Sequence, residues 1–206
     1  MQSLTNQKLN CIAGRVAVSL MVLALAAGCR ERVAVEPFDA DLDLLFERLH
    51  DRLKLMPEVA RYKWAHDLPI EDPERERLLV ERFVAEAKSR GLDAEWSRHV
   101  IVAQITAARR VQQDCFGEWK SSPPDKNEPI LDLQTELRPC IEQLTAELIE
   151  SLVRLEPHRQ SAEFRTVFPS RSDSLITRGA VSEPVRRLAV APWLETEIRS
   201  NSKRLP

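Results

Sequence analysis

Leu137, Ile141, Leu144, Leu148 and Leu152 recur at intervals of four and three, which at 3.6 residues per turn sets five apolar side chains on one face of a helix. A chain with such a stripe must bury it against elements of the same period. Leu42, Leu45, Phe46, Leu49 and Leu53 supply a second stripe, on a helix expected to begin near Pro37. Asp72 reads as an N-cap with Pro73 at the first helical position, and that helix should run to about Arg90 and stop at Gly91. A further helix is expected from about Ala94 to Trp119, where Ala103, Ala107 and Val111 form a narrow stripe of small residues suited to close helix approach. The segment from Lys120 to Pro129 holds three prolines with Ser, Asp and Asn, and is a loop. Two prolines leave alternatives open: Pro57 kinks or splits the first helix, and Pro139 marks either a first turn or a kink. After Pro157 the pattern falls to shorter candidates at roughly 159–168 and 184–198, separated by Pro169 and a Ser/Arg-rich stretch. Past residue 28 the only glycines are Gly91, Gly117 and Gly179, and with abundant Leu, Ala, Glu and Arg this predicts an all-α helical bundle with additional C-terminal helices.

The first 28 residues contain no acidic group, carry Lys8 and Arg15, and turn apolar from Val16 to Ala27, the layout of a secretory signal. The apolar run is shorter than the roughly 20 residues needed to span a bilayer. It ends Leu25-Ala26-Ala27-Gly28-Cys29, which resembles a bacterial lipoprotein cleavage site with Cys29 as the lipidated residue and Ala26 in place of the usual Leu. Lipid anchoring through Cys29 and simple release into the periplasm are both compatible with it. Because Lys8 and Arg15 are the only charges removed, cleavage takes 30 basic residues to 28 against 32 acidic ones, and the net charge from −2 to −4. What remains is a single domain over about 36–203, without the basic excess or the motifs of a nucleic-acid binder. In an oxidising compartment an odd set of three cysteines suggests one special thiol and one pair. Cys29 is then the special one, while Cys115 and Cys140 are either a disulfide or two buried thiols.

Polar residues cluster from Arg52 to Glu76. Arg52 and Lys63 are eleven residues apart, close to three whole turns, so a continuous helix projects both from one face. Asp72, Arg75 and Glu76 fall at i, i+3 and i+4 and share a face of the next helix. From residues alone this is a solvated surface or an anion-binding wall. His50, His66, His99 and His158 lack metal-ligand spacing, and dinucleotide, phosphate-loop and nucleophile-elbow motifs are missing.

The order Arg, eleven positions, Lys-Trp, then Leu-Pro-Ile-x-Asp-x-x-Arg-Glu resembles the all-helical chorismate mutases, in particular their exported subclass, over roughly Leu42 to Leu152. The resemblance implies a pericyclic rearrangement of chorismate to prephenate, an isomerisation that uses no cofactor and no metal. It implies that Arg52 and Arg138 clamp carboxylates, that Lys63 reaches a carboxylate and the ether oxygen, and that Arg75 adds positive charge. It also implies that Asp72 and Glu76 lie near the substrate hydroxyl and that Gln112 hydrogen-bonds the ether oxygen. Ala108 departs from the family's usual Ser or Thr, which removes one hydroxyl contact. In the exported subclass the arginine matching Arg138 comes from the same chain, so a homodimer would complete each pocket within one subunit. Two other readings remain: an isochorismate pyruvate-lyase with a similar cationic pocket, and a helical envelope lipoprotein that catalyses nothing.

Overall fold

The computed structural model describes residues 38–125, 127–175 and 181–202. The expected signal segment and the expected lipidation site Cys29 lie outside the described residues. The described chain is helical throughout, in the order α1 (Asp39–Lys54), α2 (Met56–Ala65), α3 (Pro73–Ser89), α4 (Ala94–Trp119), a π turn (Leu133–Leu137), α5 (Arg138–Leu155), α6 (Ala162–Leu175) and α7 (Glu183–Ser202). Among these helices none is long and apolar enough to cross a membrane.

The leucine stripes meet as their periods require. Helix α1 packs along α5 and α6, and Leu42, Leu45, Phe46 and Leu49 are wholly buried there with Leu148 and Ile149. The 26-residue helix α4, about 39 Å long at 1.5 Å per residue, is the second spine and packs on α2, α3 and α7. Its Asp93 cap accepts from Trp96 N at 2.7 Å, and buried Val100, Ile101, Ala107 and Val111 line its inner face. Helix α3 ends before Gly91, whose φ of +90° is a conformation open chiefly to glycine.

Four expectations are refined or corrected. The first helix splits at a single residue, Leu55, with Pro57 in the opening turn of α2. Leu55 keeps right-handed helical angles (φ −78°, ψ −17°), so the phase of α1 passes into α2 almost unbroken. The helix expected around Leu137 opens instead with a π turn, and Pro139 lies in the first turn of α5. Helix α6 begins at Ala162 and continues through Pro169 to Leu175. The bond lost at that proline is outweighed by ring packing: Phe164 lies 5.5 Å from Phe38, and Phe168 lies 5.0 Å from Phe46 and 5.3 Å from Trp193.

The fourth concerns the cysteines. No disulfide joins Cys115 to Cys140. Cys115 sits near the end of α4, half-buried against the core, whereas Cys140 is in the first turn of α5, and those two helices share α1 and α3 as neighbours. Burial, with Glu118 and Asp114 nearby, pushes the Cys115 thiol up, away from the reactive thiolate.

Candidate active site

An open cleft, about 800 Å³ with the solvent at its mouth included, lies where α1, α2, α3, α4 and α5 converge. Arg52, Lys63, Asp72, Arg75, Glu76, Ala108, Gln112 and Arg138 all line it. Its apolar floor comes from Met56, Val59, Leu79, Ile105 and Ile141. The lining carries six cations (Arg52, Lys63, Arg75, Arg82, Arg109, Arg138) against three carboxylates (Asp72, Glu76, Glu142), an excess that favours an anionic guest.

Arg52 and Lys63 reach the cavity from successive helices because the Leu55 break preserves phase. Arg52 is only 4% exposed, and burial draws its guanidinium down to about 10. Its side-chain partner is neutral: Nη1 donates to Thr145 Oγ1 at 2.6 Å. Among the described residues no carboxylate comes within ion-pair range of it, and the same holds for Lys63, whose Nζ donates to the carbonyl of Ile70. Burial also lowers the Lys63 ammonium; Asp72 and Glu76 oppose that shift, while Arg138 and Arg75 add to it. A buried cation without an anion is costly unless something else supplies the charge.

The opening turn of α3 places three polar groups together. Asp72 caps it, accepting from Arg75 N at 3.2 Å, and fixes the direction of the helix. Arg75 lies 3.8 Å from Glu142 of α5, and burial and Arg138 both lower its guanidinium. Glu76 is held by both arms of Arg109, Nε at 2.9 Å and Nη2 in a second short contact, so its carboxylate faces α4 while still edging the cavity.

On α4, Gln112 is buried and its Nε2 donates to Ala108 O at 3.2 Å. Exchanging the amide's O and N would set two carbonyl oxygens face to face, so this orientation is the favourable one. The remaining N–H has only Met56 Sδ at 3.9 Å, a weak acceptor, and Oε1 is buried without a partner. A better acceptor arriving in the cavity can therefore take that N–H. Ala108 contributes a methyl group one turn earlier and no hydroxyl.

The π turn aims the last cation. Asp132 Oδ1 accepts from Gln134 N at 2.8 Å and Thr135 N at 2.7 Å, while Asp132 N donates to Glu136 Oε2 at 2.7 Å, a reciprocal clamp around the turn. Those N–H groups hold the Asp132 carboxyl below its ordinary range. Arg138 follows as the first residue of α5, its Nη1 on Gln134 Oε1, its Nη2 3.9 Å from Asp72, and its buried Nε without a partner. Such π turns occur often at functional sites.

Sequence reasoning missed Arg82, Arg109, Glu142 and Thr145. The three charged residues carry the ordinary signature of exposed helix faces. Thr145 left a trace, a polar residue one turn beyond Ile141 on the apolar stripe of α5.

Comparison with known proteins identifies the family. Residues 40–113 match the family described as chorismate mutase type II. A monofunctional chorismate mutase from Enterobacter agglomerans is 32% identical over 124 residues, 60% of this chain and 67% of that protein. A secreted chorismate mutase from Yersinia pestis is 31% identical over 111 residues, 53% of this chain and 60% of that one. The crystal structure of chorismate mutase from Burkholderia thailandensis superposes with a TM-score of 0.69 at 27% identity, over 75% of this chain and 99% of that one. Cavity, fold and relatives converge, and the chain belongs to the chorismate mutase type II family.

Proposed function

We propose that this chorismate mutase binds chorismate in the α1–α5 cavity and rearranges it to prephenate there, with Arg52, Lys63, Arg75, Gln112 and Arg138 as its working groups. The observation that carries the reading is the pair Arg52 and Lys63, cations within the fold whose partners are a hydroxyl and a carbonyl rather than carboxylates. A dianionic substrate supplies the missing charge.

In the rearrangement an ether C–O bond breaks as a C–C bond forms, and the atoms of substrate and product are the same. The protein's share is to hold the substrate folded and to stabilise charge that grows on the ether oxygen. Arg138 and Arg52 present planar forks to the two carboxylates, and Arg75 reinforces the field beside Arg138. Lys63 and the spare N–H of Gln112 approach from α2 and α4, the two walls from which an ether oxygen can be contacted. The apolar floor excludes water around the folded ring. Asp72 and Glu76, near the α3 end, are placed for the ring hydroxyl, with Glu76 oriented by Arg109.

The Lys8/Arg15 flank and the apolar run favour export to the periplasm or beyond, with Cys29 as a point of lipid attachment, and relatives named as secreted support that direction. The decisive experiment incubates the processed protein with chorismate and, separately, with isochorismate. Loss of chorismate with appearance of prephenate is expected. Pyruvate release from isochorismate alone would make it a lyase, and turnover of neither would leave a non-catalytic helical protein.

A further inference from the structure

Each arginine of the cavity other than Arg52 lies against a carboxylate: Arg109 on Glu76, Arg75 and Arg82 on Glu142, Arg138 near Asp72. Arg52 is the most deeply buried of them, yet it meets the hydroxyl of Thr145 across 93 residues of sequence. A guanidinium can only donate, so Thr145 Oγ1 must accept from it. The hydroxyl's single proton is committed elsewhere, to the carbonyl of Ile141 at 2.6 Å on the same helix. The chain Ile141 carbonyl, Thr145 hydroxyl, Arg52 guanidinium thus has one consistent direction, and each bond polarises the next.

We infer that Thr145 is a positioning residue for the reaction, holding the fork of Arg52 towards the substrate through a neutral hydrogen bond that orients the cation without cancelling its charge. A carboxylate in its place would orient Arg52 equally well and then compete with the substrate for it. The hydroxyl uses one of five guanidinium donors and leaves the others for a carboxylate. Its location explains why a polar group interrupts the apolar stripe between Ile141 and Leu148, where a hydrophobic residue would pack as well. Thr145 also borders the cavity, so its own methyl group contributes to the wall.

This inference rests on the mutase reading, and the two are separable because the unmodified protein must first convert chorismate to prephenate. Given that activity, Thr145→Val keeps shape and removes the acceptor, and should lower kcat/KM about tenfold, the scale of one hydrogen bond to a charged group. The loss should fall mainly on KM, since a carboxylate contact is made in ground and transition states alike. Thr145→Ser should restore kcat/KM to within about threefold. In an Arg52→Met background, Thr145→Val should change almost nothing further, because the hydroxyl acts through Arg52. Should valine unfold the protein, Thr145→Ala makes the same comparison. The inference is overturned if the loss is under twofold, if serine is as poor as valine, or if the full loss persists in the Arg52→Met background.

Discussion

Two cations of the cavity, Arg52 and Lys63, and the arginines at the C-terminal end of this molecule are held in opposite ways. Around α6 and α7, Arg171 reaches Asp39 at 3.1 Å and Asp43 at 2.8 Å, Arg186 bonds Asp173, and Arg159 sits on Glu156 at 2.7 Å and over the Trp96 ring at 4.3 Å. These cations are matched within the fold and tie helices together. In the cavity Arg52 and Lys63 are held by a hydroxyl and a carbonyl. Matched charge serves cohesion, whereas unmatched charge costs stability until something else supplies the counter-charge.

The comparison breaks most visibly if the cavity cations prove dispensable. Lys63→Ala or Arg138→Ala should lower kcat/KM by at least about 100-fold, the scale of removing one preorganised transition-state donor. Steady-state kinetics on variants with unchanged helical content check this, and losses under tenfold would contradict it.

The contrast sharpens in stability. Arg52's folded pKa of about 10 lies below that of the unfolded chain, so the unfolded state holds its proton more tightly. The penalty is therefore in full force at pH 7 and fades only as pH rises past about 10. Arg52→Met should stabilise the ligand-free protein at pH 7 by on the order of 1 to 3 kcal/mol while lowering kcat/KM by about 100-fold, which leaves a measurable turnover. Arg171→Met, where both carboxylates are already in place, should instead destabilise by no more than on the order of 1 kcal/mol and leave kcat/KM unchanged. Urea unfolding of both variants gives the two signs, and a fall in stability for Arg52→Met would refute the idea of stored charge.

The smallest expected effect is on the pH profile. An amide donates at every pH, so turnover should be nearly flat from about pH 6 to 8 and decline on the alkaline side as Lys63, lowered by burial, loses its proton. Gln112→Glu can donate only while protonated, and should shift activity towards acid with carboxylate binding largely retained. A flat profile in the Glu variant, or a steep acid optimum in the parent, would remove Gln112 as the ether-oxygen donor.

Much of this was legible in the chain because it is written in period. The 3.6-residue stripes, the Asp72-Pro73 start and the Gly91 stop are local signals, and they placed α1, α3, α4 and most of α5. Eight residues that line the cavity were singled out by the family resemblance, through their order in the chain. What stayed hidden depends on partners distant in sequence. Arg109 looks like any helical arginine until Glu76, 33 residues away, is set beside it. Thr145 gains meaning only against Arg52. Pro169 reads as a boundary because the rings that carry α6 through it lie on other helices.

The π turn before Arg138 makes the spacing from Asp132 to Arg138 a matter of phase. Every residue added to or removed from an α-helix rotates the later part of that helix by about 100°. Deleting one residue between Leu133 and Leu137 would let the turn relax into ordinary α-helix and swing either Arg138 or the leucine face of α5 out of register. The loop from Lys120 to Leu131 lies upstream of the Asp132 clamp, so slack there is absorbed before the helix begins. Length variation among natural variants should therefore collect in that loop and spare the turn from Leu133 to Leu137, whatever residues occupy it.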